Sequence, residues 1–131
     1  MNNISGYLMV AYVFVSLLSC DETNYVQGKR LYVANCQNCH MEDGSGLGGL
    51  IPSINVSSQL GSPNLACIIR NGIQDTIFKD STFLVKEMPA FKKLSAAEIA
   101  NIINYINSTW QKSFKEINII EIDQTLKNCD Q

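Results

Sequence analysis

Cys36-Gln37-Asn38-Cys39-His40 has the spacing C-x-x-C-H. Two thiols separated by two residues reach the two vinyl groups on one edge of a porphyrin, and the next residue, a histidine, is then held under the iron. The stretch therefore reads as a covalent haem-attachment site, with Cys36 and Cys39 as the thioether residues and His40 as the proximal ligand. His40 is the only histidine in the chain, so a second histidine ligand would have to come from another chain. Two other chemistries use paired cysteines. A redox dithiol usually sits in a βαβ context, which this sequence does not suggest. Zinc needs four ligands, commonly from two separated pairs, and the further cysteines Cys67 and Cys129 are not paired in sequence.

The sixth iron ligand must come from what the chain offers. Of four methionines, Met1 and Met9 lie in the apolar start, and Met41, next to His40, can hardly reach the opposite haem face. That leaves Met88, 48 residues beyond His40 and followed by Pro89. Its bland alternative is a core methionine. As a ligand, a thioether is soft, favours ferrous iron and raises the reduction potential of a histidine-ligated haem.

Working outward from the motif, three helices are legible. The first runs from Asn24 into Cys36, with Asn24 as cap and Gln27 three residues on. Its Gly28, Tyr32 and Cys36 fall four apart and share a face. A glycine-rich loop follows, with Gly44, Gly46, Gly48, Gly49 and then Pro52. The second helix is expected from Ser62-Pro63 to Gly72, burying Leu65, Ile68 and Ile69. The third opens on the capping box Ser95-Ala96-Ala97-Glu98, with Leu94 and Ile99 as a hydrophobic staple. Ile99, Ile102, Ile103, Ile106 and Trp110 form its apolar face. Between the last two helices, Ile73 to Lys93 reads as a long loop. No run alternates clearly enough to require a sheet. The expected fold is all-α: three main helices with long loops wrapped around a haem, which supplies the core that such loops otherwise lack.

The chain has 131 residues, 46% of them apolar, enough for one packed domain. Ten basic and twelve acidic residues are scattered along it, without the basic stripe that nucleic acid requires. Residues 7–18 are nearly all apolar, too short a run for a comfortable membrane span but right for a signal-peptide core. Leu17-Leu18-Ser19-Cys20 closes the run and is followed by Asp21-Glu22. This closure resembles a bacterial lipobox, in which the cysteine is acylated and becomes the first mature residue. An ordinary signal peptide or an uncleaved anchor are the alternatives, and each places the domain outside the cytoplasm, on the periplasmic or cell-envelope side. The expected organisation is a signal peptide over 1–19, a tether over 20–23, a haem domain over 24–110 and a tail over 111–131 packed on that domain.

With these residues placed, the chain resembles the class I cytochromes c from about Asn24 to Trp110. In that family a glycine and an aromatic precede the first cysteine by eight and four residues, as Gly28 and Tyr32 do here. They cross the last helix at an apolar residue and an aromatic three apart, matched by Ile102 and Tyr105. Pro52, twelve residues after His40, matches the proline whose carbonyl accepts a hydrogen bond from the proximal imidazole. Met88-Pro89-Ala90-Phe91 is similar to the family's methionine loop. The resemblance implies a monomeric, one-haem electron carrier with His/Met ligation, not an enzyme, shuttling single electrons between a donor and an acceptor of a respiratory chain. Two rivals remain: the haem subunit of a larger oxidoreductase, and a small-gas sensor with a labile sixth position. Lys92 and Lys93 could face an acidic partner or simply be solvated.

Cysteine counting adds one expectation. With Cys20 given to lipid and Cys36 and Cys39 to haem, Cys67 and Cys129 remain, in a chain placed in an oxidising compartment. On the second helix Cys67 points away from the apolar stripe. A disulfide stapling the tail to that helix is expected, against two free thiols or an intermolecular link through Cys129.

Overall fold

Ile99, Ile102, Ile103 and Ile106 recur on one face of the longest helix, and all four are buried. That helix, named α4 below, is the beam on which the rest of the molecule packs. The computed structural model describes residues 25–48, 50–79 and 82–129. The apolar start, the lipobox-like cysteine and Asn24 lie outside the described residues. In chain order the elements are α1 (Val26–Asn35), a single-turn α2 (Gln37–His40), α3 (Leu65–Asn71), β1 (Ile73–Lys79), β2 (Thr82–Met88), α4 (Ala96–Trp110) and α5 (Ile119–Lys127).

The start of α4 is as the sequence requires. The Ser95 hydroxyl accepts from the Glu98 backbone N–H, and the Glu98 carboxylate accepts from the Ser95 N–H at 2.8 Å. Leu94 and Ile99 both join the core. Helix α1 crosses α4 where Gly28 faces the backbone of Asn101 and the Cβ of Tyr105. The absence of a side chain lets the two backbones approach. One turn further along α1, Tyr32 stacks against Tyr105 (5.5 Å between ring centres) and Trp110 (5.6 Å), closing an aromatic triangle. The buried Tyr32 hydroxyl is satisfied by donating to the Met41 carbonyl at 2.7 Å.

Helix α1 begins at Val26, with no side-chain cap bond from Tyr25; the expected capping box of Asn24 with Gln27 depends on Asn24, which lies outside the described residues. Three expectations are corrected. Helix α3 begins at Leu65 rather than at Ser62-Pro63. Residues 62–64 form turns, in which the Ser62 hydroxyl accepts from the Asn64 N–H. Its buried stripe is Ala66 and Ile69, with Leu65 and Ile68 only half-buried beside a cavity. The expected loop after Gly72 is mostly an antiparallel hairpin, with Ile73 opposite Met88, Asp75 opposite Lys86 and Lys79 opposite Thr82. In sequence the two strands are rich in residue types of high β propensity.

The tail folds too. Asn118 caps α5 by accepting from the Glu121 N–H at 2.9 Å, and Ile122 is fully buried. The Asn104 amide on α4 brackets Ile117, donating to its carbonyl (2.9 Å) and accepting from its N–H (3.0 Å). Cys67 and Cys129 are joined in a disulfide, with Cα atoms 5.3 Å apart, which ties the end of α5 to α3. The fold is mostly helical, as expected, with one hairpin added.

Candidate functional site

Cys36 ends α1 and Cys39-His40 complete the single turn α2, so the C-x-x-C-H motif lies on a tight helical corner. The corner is closed by backbone bonds from the Cys39 and His40 N–H groups to the Cys36 carbonyl, at 3.1 and 2.9 Å. Cys36 is buried and Cys39 exposed, and neither forms a disulfide. Burial pushes the Cys36 thiol up to about 11, with Cys39 beside it as a smaller cause. Among the described residues, no group of three or more His, Cys, Asp and Glu could hold a metal ion.

The turn ends at Met41, whose φ of 64° is the one left-handed value at a non-glycine residue among those described. The Tyr32 bond to its carbonyl helps hold that conformation. From there the chain loops back. The Gly44 carbonyl accepts from the Ile54 N–H at 2.8 Å, and the Gly46 N–H donates to the His40 carbonyl at 3.1 Å. The loop so pinned brings the Pro52 carbonyl to 3.3 Å from His40 Nδ1. A carbonyl can only accept, so Nδ1 carries the proton and Nε2 is the free lone pair. Burial holds the imidazole pKa below its usual value, and the Pro52 bond offsets part of that.

Across from this corner stands Met88, the last residue of β2. Three contacts position it. The Phe91 N–H donates to the Ile69 carbonyl at 3.0 Å, and Arg70 donates to the Lys92 carbonyl at 2.6 Å. Gly72 ends α3 at a φ of 71°, and a Cβ there would strike the backbone of residues 88–90. Glycine is thus required both to stop the helix and to admit the Met88 segment. Cys36, Cys39, His40, Pro52 and Met88 all line one cavity of about 330 Å³. A second cavity, of about 150 Å³, shares Cys36, His40, Pro52 and Met88 with it and runs inward to Leu65, Ile69 and Ile106. Its lining is mostly apolar. Two unpaired thiols, a neutral imidazole and a thioether around an apolar cleft are a donor set that fits haem.

The family model described as "Cytochrome C oxidase, cbb3-type, subunit III" matches residues 23–106. The chain belongs to that family. It is a c-type cytochrome, and its domain is a haem-bearing electron carrier. Two curated relatives carry the name "Alcohol dehydrogenase (quinone), cytochrome c subunit", from Gluconacetobacter polyoxogenes and Komagataeibacter europaeus. Each is 26% identical over 98 residues, which is 72% of this chain and 21% of the relative. The cytochrome therefore spans only a small part of those relatives' length.

The sequence brought five residues forward, and all five line the cleft. Missed were the walls: Leu50 and Ile51 from the loop, and Ile73, Asp75 and Glu87 from the hairpin. The hairpin was the lost signal. Once Ile73 is paired with Met88, the neighbouring strand residues must flank the cleft. Among the described residues, no helix is long and apolar enough to cross a membrane.

Proposed function

We propose that this chain is a class I cytochrome c that carries one haem, attached covalently through Cys36 and Cys39, with His40 and Met88 as axial ligands. The observation that carries the reading is the shared cleft of those four residues and Pro52. When bound there, haem supplies one-electron Fe(III)/Fe(II) chemistry. The chain's own residues do the rest. Cys36 and Cys39 tether the edge of the group. The Pro52 carbonyl fixes the tautomer of His40, which leaves Nε2 with the free lone pair. The Met88 thioether favours the reduced state. Apolar residues such as Ile69 and Ile106 keep water from the inner face. No side chain is asked to make or break a bond in a substrate.

The domain bounds proposed are 1–19 for a signal peptide, 20–23 for a tether carrying a lipid anchor on Cys20, 24–110 for the haem domain and 111–131 for the tail. The protein would then be a monomer held on the outer side of a membrane, exchanging electrons with respiratory-chain partners. A second reading, the haem subunit of a larger oxidoreductase, is favoured by the printed names of the two relatives. Co-purification with a second polypeptide separates the two.

Two experiments test the site. Acid-acetone treatment of the denatured protein should leave the haem on the chain, and complete release would exclude thioether attachment. Met88→Ala should lower the midpoint potential and open the ferrous iron to carbon monoxide. An unchanged potential, with the methionine-to-ferric-iron charge-transfer band intact, would remove Met88 from the site.

A further inference from the structure

The end of α3, the turn before α4 and the end of α5 meet around an open cavity of about 470 Å³. None of the residues that line it lines the cleft. Its volume falls in the usual range for a small-molecule site, about 300–1,000 Å³. Its charged walls are Arg70 from α3, Lys92 from the turn, and Asp123 and Lys127 from α5. These residues are distant in sequence, so the fold makes the cluster and a run of charge does not. The charges do not cancel. Asp123 is taken up by Lys127 at 2.6 Å. Among the described residues, no carboxylate is paired with Arg70 or Lys92. Arg70 is half-buried and is held by donating to the Lys92 carbonyl at 2.6 Å, with N–H groups of its planar fork to spare. Unmatched positive charge thus collects in a concave site, on a chain whose formal net charge is -2. Basic residues in the last turn of a helix offset its dipole, which accounts for Arg70 and Lys127 one at a time. It does not account for Lys92, which lies outside any helix, or for the convergence of all three.

We propose that this cavity binds the phosphate group of a small molecule, with Arg70 as the fork and Lys92 and Lys127 as flanking charges. A guanidinium matches two oxygens of a phosphate at once, and a lysine meets a third as a point charge. A phosphate monoester carries about -1.5 to -2 charges at pH 7, so it can answer both unmatched cations together, where a carboxylate answers one. A bound phosphate would tie α3 to α5 in addition to the Cys67–Cys129 bond, and both to the turn that follows Met88. The site does not depend on which residues ligate the haem.

The test is a calorimetric titration of the full-length, haem-loaded protein with inorganic phosphate at constant ionic strength. The wild type should bind it saturably, and acetate should bind more weakly by roughly tenfold. Lys92→Gln with Lys127→Gln should weaken phosphate binding by roughly tenfold or more, since two exposed charge contacts are lost and Asp123 is left unmatched. Lys29→Gln with Lys112→Gln makes the same change in net charge at exposed residues that do not line the cavity, and should leave the affinity within about twofold. A native visible spectrum and an unchanged Tm without phosphate show that both variants are folded. No saturable binding by the wild type, equal binding of acetate, or an equal loss in the two double variants would overturn the site. A free phosphate ester and a lipid headgroup share this chemistry, and a soluble short-chain phosphatidic acid separates them. Tighter binding than inorganic phosphate, lost in Lys92→Gln with Lys127→Gln, assigns the site to a headgroup. Equal or weaker binding assigns it to a free phosphate.

Discussion

Replacing Gly28 by alanine should cost the protein stability, although alanine is the better helix former. Two opposing effects act at this position. In the interior of α1, alanine is favoured over glycine by about 1 kcal/mol. Against that, the added Cβ would fall on the Asn101 carbonyl and 2.6 Å from the Cβ of Tyr105. Ordinary carbon–carbon contact needs about 3.5–4.0 Å, so α1 must lift from α4 by about 1 Å. The obstacle is mainly backbone, which cannot rotate away. The shift also opens the contacts that Tyr32 makes with Tyr105 and Trp110. Overpacking of this kind costs about 1–3 kcal/mol, and a backbone clash puts it at the upper end. The net expectation is a loss of about 2 kcal/mol, or about 10 °C in Tm for a domain of this size. Thermal unfolding of the haem-loaded protein, followed by far-ultraviolet circular dichroism, measures it. Ala34→Gly, at an exposed site on the same helix, should lose about 1 kcal/mol and calibrates the propensity. If Gly28→Ala melts at or above the wild type, the close helix crossing is not what constrains this position.

Cys67→Ser with Cys129→Ser opens a loop with a sequence separation of 62 and should lower stability by about 4 kcal/mol at most in the chain-entropy description; equilibrium unfolding in denaturant reads it, and a loss under about 1 kcal/mol would mean that α5 is held by packing alone. Asn104→Ala strands the buried N–H and carbonyl of Ile117 and should cost about 2–4 kcal/mol, with faster hydrogen exchange at Ile117; a near-neutral result would show that water replaces the amide. The Ser95 N–H and hydroxyl hold the Glu98 carboxyl below its ordinary value of 4.5. Its contribution should therefore be complete above that pH and be lost as the pH falls through the lower folded value. In an acid titration of Tm, Glu98→Gln should flatten this part of the profile, and an identical profile would show that the capping box does not titrate with folding.

What was legible in the sequence follows from which forces act locally. Helix α4 announces itself because its cap, its staple and its apolar period are all encoded within seventeen neighbouring residues, Leu94 to Trp110. The proposed haem corner is legible because the covalent attachment it would serve requires a fixed spacing of Cys36, Cys39 and His40. Met88 is reached as a candidate by elimination, and it lines the same cleft. The hairpin was hidden because its strands lack alternation: Gln74, Asp75 and Thr76 are polar in succession, and Phe83, Leu84 and Val85 are apolar in succession. As a sequence, Asp80-Ser81 is a weaker turn signal than Asn-Gly or Asp-Gly. Helix α5 carried a visible cap in Asn118 with Glu121, but its burial rests chiefly on Ile122, too little to give a periodic stripe. The Cys67–Cys129 bond was legible from counting cysteines and from the direction of Cys67 on its helix.

The two sides of the cleft are built from different material, and this bears on how a carrier of the proposed kind would behave. The His40 side hangs on α1, which is locked to α4 by the aromatic triangle and the close crossing at Gly28. Its loop is pinned by the Gly44, Gly46 and Pro52 bonds. The Met88 side leans on the end of α3 through Phe91, Arg70 and the opening at Gly72, and beyond it stand only two paired strands. A two-stranded hairpin has little stability of its own. Local opening should therefore begin on the Met88 side while the His40 corner stays formed. The disulfide matters here through α3, because it ties that helix to α5 and so steadies the one support on which the Met88 segment rests. The tail, which lies outside the matched family segment of residues 23–106, is thus joined through Cys67 and α3 to the residue proposed to set the potential.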